Sequence, residues 1–232
     1  MRALRVLLFI VVILGVLFVI GDRVAVSYAE SMAADKIRSS QGLDKSPEVS
    51  IKGFPFLTQI AGRSLTEVDA ELGGMSASAE GRTLRVSKLS AQFHDVTLGS
   101  DYTSIQSAAS ATGKAAISYA DLTKAAGGDV KISYGGEKNG RSQVKISPNV
   151  PLLNSLTVTG SLTVSGNTVK LRADEIPAMC RAIPSCQSTV RAQTDHEWKL
   201  TQLPGNLQLD KVTTTAHGIS VSASGTDVKL PG

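Results

Sequence analysis

The sequence predicts an α+β protein that is mostly antiparallel β and is preceded by a membrane helix. Three patterns indicate this fold: an uncharged apolar run near the N-terminus, helical spacing of apolar residues to about residue 40, and a hydrophobic period of two from Glu48 onward. The 232 residues, 42% of them hydrophobic, suffice for one sizeable domain with a real core. Aromatic residues are few (5 Phe, 4 Tyr, 1 Trp), so we expect aliphatic side chains to fill that core.

The apolar run predicts a transmembrane signal-anchor over residues 1–21. Residues 6–21 are uncharged, and the run of roughly 16 to 18 residues would span about 24–27 Å as a helix, close to the thickness of the hydrocarbon layer. Arg2 and Arg5 lie on its N-terminal side, so the N-terminus should remain in the cytoplasm. We therefore expect a single-pass protein of the cell membrane whose domain is extracytoplasmic.

Cleavage of the anchor is the alternative to its retention. Ser27-Tyr28-Ala29 is a small-x-small site, but it lies late, and the charged pair Asp22-Arg23 follows the apolar run directly. The sequence favours an uncleaved anchor. Either outcome leaves the domain outside the cytoplasm.

Residues 22–42 are predicted to form a helix or stalk that joins the anchor to the domain. From Asp22 to about Ser40 there is no proline, and Val24, Tyr28 and Met32 recur at helical spacing. Gly42 is a suitable residue to end this helix. The helix would either pack on the domain or stand in solvent as a stalk.

Residues 43–232 are predicted to form a β-rich extracytoplasmic domain. Apolar and polar residues alternate in several segments, which indicates antiparallel strands with one buried face; the segments contain Val49 and Ile51, Leu84 and Val86, Val130 and Ile132, Val144 and Ile146, Leu156 to Val164, Val169 and Leu171, and Ile219 to Ala223. Glycine pairs at 73–74, 127–128 and 135–136 and the stretch 225–227 are predicted to be turns. A short helix is predicted at 119–126, and a turn or short helix between Pro177 and Pro184.

Charge gives no indication of a nucleic-acid partner. The formal net charge is +4, and outside Arg2 and Arg5 the chain carries 22 basic and 20 acidic residues. A basic run of five or more residues is absent. We expect a membrane partner and no nucleic acid.

Cys180 and Cys186 lie close together in the sequence. In an exported chain such a pair most simply forms a disulfide. Free thiols and a metal site are the alternatives, although zinc usually needs four ligands and the chain offers only three scattered histidines.

Catalytic and cofactor motifs are missing from the sequence. His94, His196 and His217 form no ligand pair, and nucleophile-elbow and phosphate-loop patterns are absent. Asp174, Glu175, Asp195 and Glu197 could be brought together by folding, which leaves paired carboxylates open. We expect no metal, no cofactor and no enzymatic activity.

An unusual apolar string, Phe54-Pro55-Phe56-Leu57, follows the first predicted strand. Read as an extended segment, it would place Phe54 and Phe56 on one side and Pro55 and Leu57 on the other. One interpretation is a strand end that plugs the core. The other is a lipid-binding or membrane-contact lip formed by these four residues.

At this string the chain resembles the LmeA-like family of exported actinobacterial lipid-binding proteins (lipomannan elongation factor). Three blocks carry the resemblance: Glu48 to Gln59 (EVSIKGFPFLTQ), Ile117 to Leu122 (ISYADL), and a C-terminal block with Leu203 to Leu207 (LPGNL), Val212 and His217 to Ala223 (HGISVSA). The first block is fairly specific to the family. Asn206 departs from the apolar residue expected in the third.

The resemblance implies an extracytoplasmic phospholipid-binding protein, with phosphatidylinositol-type lipids as the leading class. It implies support of cell-envelope lipoglycan biosynthesis or maintenance, such as that of lipomannan, and an envelope glycosyltransferase as a partner. It also implies the architecture of tubular lipid-binding proteins, in which a long helix packs on a curved, twisted sheet beside an apolar groove. The family has no catalytic motif to carry over.

Three functions therefore compete at the level of sequence. The first is a lipid-binding or lipid-transfer module, and the second is a non-lipid-binding envelope scaffold or interaction domain. The third is an enzyme that acts on lipid or glycan. An apolar groove would favour the first, a filled core with an exposed apolar patch the second, and paired carboxylates in a cleft the third.

Overall fold

The computed structural model describes residues 2–79, 82–102, 104–126, 130–148, 157–199, 203 and 206–230. Within these ranges the fold is α+β, with antiparallel strands in two sheets and no closed barrel. The predicted fold class is therefore confirmed. The helices are α1 (Arg2–Gln41), α2 (Phe56–Ala61), α3 (Tyr119–Ala125) and α4 (Pro184–Thr194), with a 3₁₀ turn at Ala178–Cys180. The strands are β1 (Glu48–Lys52), β2 (Ser64–Ala79), β3 (Arg82–Leu98), β4 (Ile105–Ser118), β5 (Val130–Lys138), β6 (Arg141–Pro148), β7 (Val158–Ser165), β8 (Thr168–Ala173), β9 (His196–Lys199), β10 (Gln208–Thr215) and β11 (Gly218–Lys229).

The two sheets differ in size and in strand length. The first sheet has six strands in the order β1-β2-β3-β4-β11-β10, and the second has five in the order β5-β6-β7-β8-β9. Long hairpins build the first sheet, because β2 and β3 run for 16 and 17 residues. The second sheet follows the chain order from strand to strand, with short hairpins at β5–β6 and β7–β8 and with the 3₁₀ turn and α4 between β8 and β9.

A distal core lies between the two sheets. Both sheets contribute aliphatic side chains at alternate positions, as the period of two predicts. The buried members are Val86, Ile117, Leu209, Val212 and Ile219 from the first sheet and Val144, Ile146, Leu162, Val169 and Leu171 from the second. This core joins the sheets into one layered body.

A smaller proximal core lies where the first sheet meets α1 and α2. Its buried members are Val26, Phe56, Leu65, Val68, Val96, Leu98 and Ala108. Ala25 and Ala29 of α1 pack against it. The predicted helix from residue 22 is thus confirmed, it is continuous with the apolar segment, and Gly42 ends it with a φ of 60°.

Two predicted turns in the first sheet are wrong. Residues 225–227 continue β11, where Asp227 adopts a φ of 50° and the next residue, Val228, is fully buried. Gly73 and Gly74 lie inside β2, and Gly74 has a φ of 69°. In both places one residue takes the left-handed conformation without ending the strand, which glycine and aspartate tolerate best.

Two predictions concern the second sheet and its neighbours. Gly135 and Gly136 lie within β5 instead of a turn, and a Cβ at Gly135 would stand 2.6 Å from the backbone of Gln143 on β6. The region around Pro177 holds the predicted short turn, but the prediction of a turn bounded by Pro184 is too short, because α4 begins at Pro184. Proline is well suited to the first helical turn, where its missing N–H removes no bond. Leu156, Gly127 and Gly128 lie outside the described residues.

Candidate functional site

The first sheet has one apolar face that connects the two cores. Three rows of side chains make up this apolar face, and each row consists of residues paired directly across neighbouring strands. The rows are Ile51, Val68, Phe93 and Ala111; Val49, Ala70, Ala91, Gly113 and Ala223; and Leu72, Leu89, Ala115 and Val221. Most of these side chains are only half-buried. The face is therefore apolar without being fully covered by the described residues.

The middle row of the apolar face is a trough of small residues. Ala70, Ala91 and Gly113 are paired side by side on β2, β3 and β4, and Ala223 extends the row onto β11. Larger residues flank the row, with Phe93 on one side and Leu89 on the other. Four strands spaced by about 4.8 Å give the trough a length of roughly 14 Å. An acyl chain laid there would gain about 0.8 kcal/mol for each methylene removed from water.

The opposite face of the same sheet is polar and concave. A cavity of about 650 Å³ lies there, and it is lined at the β1 edge by Glu48, Ser50 and Lys52 and not by Val49 or Ile51. The small residues Ala70, Ala91, Gly113 and Ala223 also border this cavity, between its polar side chains. Its other charged lining residues are Asp69, Glu71, Lys114 and Asp210. Carboxylates outnumber lysines in this lining, so the cavity suits neither an acyl chain nor a phosphate. The apolar face, not this cavity, is the candidate for lipid.

α1 packs along the β1 edge of the first sheet. The Ile51 N–H of that edge strand donates to Glu30 Oε1 at 2.8 Å. A helix side chain therefore satisfies a backbone donor that an edge strand would otherwise leave open. The contact positions the long helix beside the sheet, and the helix meets the apolar face at the proximal core.

A second contact between α1 and the domain is made by Asp22. Its side chain is fully buried, and its Oδ1 accepts a hydrogen bond from the Leu57 N–H at 2.8 Å in the first turn of α2. Burial opposes ionisation of this carboxyl, but the bond from Leu57 and the adjacent Arg23 hold its pKa below the usual range. Asp22 thus fixes α2 to the helix one residue beyond the predicted anchor. This role of Asp22 could not be predicted, because a single carboxylate does not reveal a partner 35 residues away in the sequence.

The string Phe54-Pro55-Phe56-Leu57 is not an extended segment. α2 begins at Phe56, so the expected alternation of sides is wrong. Phe56 is 4% exposed and belongs to the proximal core, whereas Phe54 and Leu57 are 58% and 39% exposed. Pro55 is half-buried. The core interpretation therefore describes Phe56, and only Phe54 and Leu57 present large apolar surface.

Phe54 lies next to the end of the apolar segment of α1. The Arg23 guanidinium carbon is 5.2 Å from the Phe54 ring centroid, and Arg23 also pairs with Asp22 at 2.6 Å. By its length and composition α1 is apolar enough to cross a membrane. Exposed Phe54 and Leu57 thus lie at the height where that apolar segment ends.

The carboxylates left open by the sequence are held by structural partners. Asp195 accepts from the Ala173 N–H at 2.9 Å and lies 3.6 Å from Arg172. Burial opposes its ionisation, yet these hydrogen bonds and the nearby Arg191 and Arg172 keep the pKa of Asp195 below its ordinary value. Asp174 accepts from Ser161 and Gln143, Glu175 lies near Lys138, and Glu197 pairs with Arg172 and Lys170.

The histidines and cysteines also have structural positions. His94 is a partly exposed β3 residue whose Nδ1 is 3.5 Å from Glu67. Within the described ranges, His, Cys, Asp and Glu form no group that could hold a metal. Cys180 and Cys186 form a disulfide, which confirms that prediction.

An antiparallel sheet with a half-covered apolar face, set beside a long apolar helix, is the arrangement of a domain that handles a hydrophobic ligand. The chain belongs to the LmeA-like phospholipid-binding family, whose family model matches residues 20–224. The resemblance found in the sequence is thereby confirmed, and phospholipid binding is the activity that family membership supports. No curated protein and no solved structure matches the chain. Pro204 and Gly205 of the third resemblance block lie outside the described residues.

Proposed function

We propose that this protein is a membrane-anchored, extracytoplasmic phospholipid-binding protein that supports the biosynthesis or maintenance of cell-envelope lipoglycans of the lipomannan type. Residues 1–21 act as the anchor, residues 22–42 join it to the domain, and residues 43–232 bind the lipid. The family match over residues 20–224 carries this proposal. Phosphatidylinositol-type lipids are the ligand class, and an envelope glycosyltransferase is the partner that would use the bound lipid. The domain itself catalyses no reaction.

The lipid's acyl chain lies along the trough of Ala70, Ala91 and Gly113 in this proposal. Support comes from the half-buried state of the apolar face and from the small size of these residues. The exposed Phe54 and Leu57, with Pro55 between them and the core, form the lip through which the chain enters from the membrane. Phe56 contributes only by packing beneath this lip.

Filling the trough tests the proposal. A Cβ built on Gly113 meets only the Ser90 carbonyl oxygen at 3.9 Å, so a side chain can start there without a backbone clash, and Gly113→Leu is the filling variant. We expect the full-length protein, extracted with detergent, to carry phospholipid by native mass spectrometry and to exchange it for phosphatidylinositol. Gly113→Leu should lower this occupancy several-fold while the midpoint of thermal unfolding stays the same or rises, because a strand glycine is replaced.

A polar variant and its control on the opposite face sharpen the test. Ala91→Gln puts an amide in the trough, and Ser90→Gln puts the same amide on the polar face one residue away. Occupancy should fall for Ala91→Gln and be unchanged for Ser90→Gln. Wild-type protein that is free of lipid and takes up no phosphatidylinositol would instead support the scaffold function.

A further inference from the structure

One end of the first sheet lies beside the point where the apolar segment of α1 ends. β1 runs toward this end, because Leu57, which follows β1, contacts Asp22 of α1. β3 runs in the same direction as β1, since both are antiparallel to β2. β2 and β4 start there, and the Leu230 N–H after β11 donates to Gln106 O at 3.1 Å. The same end of the domain as Phe54 and Leu57 therefore holds residues 62–63, 99–102 and 104.

The height of this loop relative to α1 follows from strand and helix geometry. Ile51, bonded to Glu30, is in register with Val68 and Phe93. Leu98 is five residues beyond Phe93, about 16 Å along the strand. Asp22 is eight residues before Glu30, about 12 Å along the helix. Counted along each element from the Glu30–Ile51 bond, Leu98 and the last apolar residues of α1 therefore lie at similar distances.

Arg63 and Tyr102 meet at this end, and neither backbone position requires the side chain that it carries. The Arg63 guanidinium carbon is 5.1 Å from the Tyr102 ring centroid, and Tyr102 is 46% exposed. Both residues adopt left-handed backbone conformations, with φ of 53° and 58°. Their backbone bonds, Arg63 N–H to Ile60 O and Tyr102 N–H to Gly99 O, could be made equally by glycine. A bulky residue in this conformation is unfavourable, and such strain concentrates at functional positions.

The charge of Arg63 is available to a ligand. Arg23, the other arginine at this end that stacks on an aromatic ring, is neutralised by Asp22 at 2.6 Å. Arg63 is exposed, and none of the residues that the structure describes gives it a carboxylate partner within ion-pair distance. A guanidinium binds a phosphate through paired, charge-assisted hydrogen bonds. Tyrosine is favoured where an apolar ring meets the headgroup layer.

We propose that Arg63 and Tyr102 form a contact site for the phosphate of a phospholipid headgroup in the membrane that α1 enters. The site is separate from the trough on the apolar face. It holds against the bilayer the end of the domain that carries Phe54 and Leu57. The inference rests on the membrane anchoring proposed above, but it does not require that the trough hold lipid.

The test uses the full chain in nanodiscs of phosphatidylcholine with or without phosphatidylglycerol. An environment-sensitive fluorophore attached at Ser100→Cys, an exposed loop position, reports contact with the bilayer. We expect a blue shift of its emission that is larger with phosphatidylglycerol and weakens at high salt. Arg63→Gln should abolish the extra shift, Arg63→Lys should retain part of it, and Arg141→Gln on the exposed β5–β6 hairpin should retain all of it.

Arg63→Gly separates loss of contact from loss of folding. It removes the side chain and relieves the left-handed strain, so the thermal midpoint should rise while the response to phosphatidylglycerol disappears. An emission maximum that is the same in both discs, or that Arg63→Gln alters no more than Arg141→Gln, would overturn the inference. Native mass spectrometry of Arg63→Gln should show unchanged lipid occupancy, so a failed contact site and a failed trough give different results.

Discussion

The distal core and the proximal core bury aliphatic side chains of the same kind, but they differ in what closes them. The distal core is closed by strands on both sides, with Val144, Leu162 and Leu171 facing residues such as Val212 and Ile219. The proximal core is closed by a helix and a short helical turn, and it depends on the carboxylate of Asp22 to join them. The distal core thus holds the two sheets together, whereas the proximal core determines where the domain sits on its helix.

The apolar trough lies between these two cores. Leu89, Ala115 and Val221 at its one side pack against the distal core, and Phe93 at its other side packs against the proximal core. A ligand in the trough would therefore touch both cores. Changes in the distal core should alter global stability, and changes in the proximal core should alter the local position of α2 and the lip.

The largest expected loss in the free energy of unfolding comes from a substitution in the distal core. Leu171 is 3% exposed and lies beside Leu162 in the register of β7 and β8. Leu171→Ala should lower the free energy of unfolding by about 2–5 kcal/mol, since it removes buried carbons and leaves a cavity. Urea unfolding of the full chain in detergent, followed by circular dichroism, measures this.

Val26→Ala is the matched change in the proximal core. Val26 is 8% exposed, and its truncation removes two buried carbons, worth roughly 1.6 kcal/mol of transfer free energy before any cavity term. If Val26→Ala lowered the midpoint of strand unfolding as much as Leu171→Ala does, the two cores would contribute equally to global stability, contrary to this expectation.

An intermediate effect is expected from the disulfide beside the second sheet. Cys180 and Cys186 are separated by six positions. Closing so short a loop stabilises by about 2 kcal/mol in the chain-entropy model. The double variant Cys180→Ser with Cys186→Ser should unfold at lower urea and should retain its bound lipid, because α4 packs on β8, away from the trough. Loss of lipid occupancy in a still-folded double variant would place α4 in the binding site instead.

Local patterns allowed much of the fold to be predicted. Each alternating pair, such as Val144 with Ile146, needs only a strand and one buried face, and both follow from neighbouring residues. The helix from Asp22 and the short helix α3 also follow locally, since Ser118 caps α3 by accepting from the Asp121 N–H. The division into two sheets was not predicted, because it depends on pairing between residues far apart, such as Gly218 with Ser118.

The candidate site was predicted only in part for the same physical reason. The trough exists because Ala70, Ala91 and Gly113 fall in register on three strands, and no local pattern connects these residues. The extended conformation predicted for the aromatic string is wrong, because Phe56 starts a helix and turns into the core. Arg63 and Tyr102 are each unremarkable in sequence, and only their backbone angles and their contact identify them.

The smallest effect on global stability, and the sharpest local one, is expected at Asp22. The pKa of Asp22 is lower in the folded protein than in the unfolded chain. Its ionised form therefore stabilises the contact with Leu57 fully at pH values above the ordinary carboxyl pKa of about 3.9. This stabilisation is lost as the pH falls through the lower folded pKa. Asp22→Asn should abolish that acid dependence. It should also speed hydrogen exchange of the Leu57 amide at neutral pH while leaving the distal amide of Val144 unchanged. Asp195, whose pKa is also depressed, serves as the distal control, and Asp195→Asn should speed exchange of the Ala173 amide instead. If Asp22→Asn loosened Val144 as much as Leu57, the two cores would form one cooperative unit and α1 would be part of the global fold.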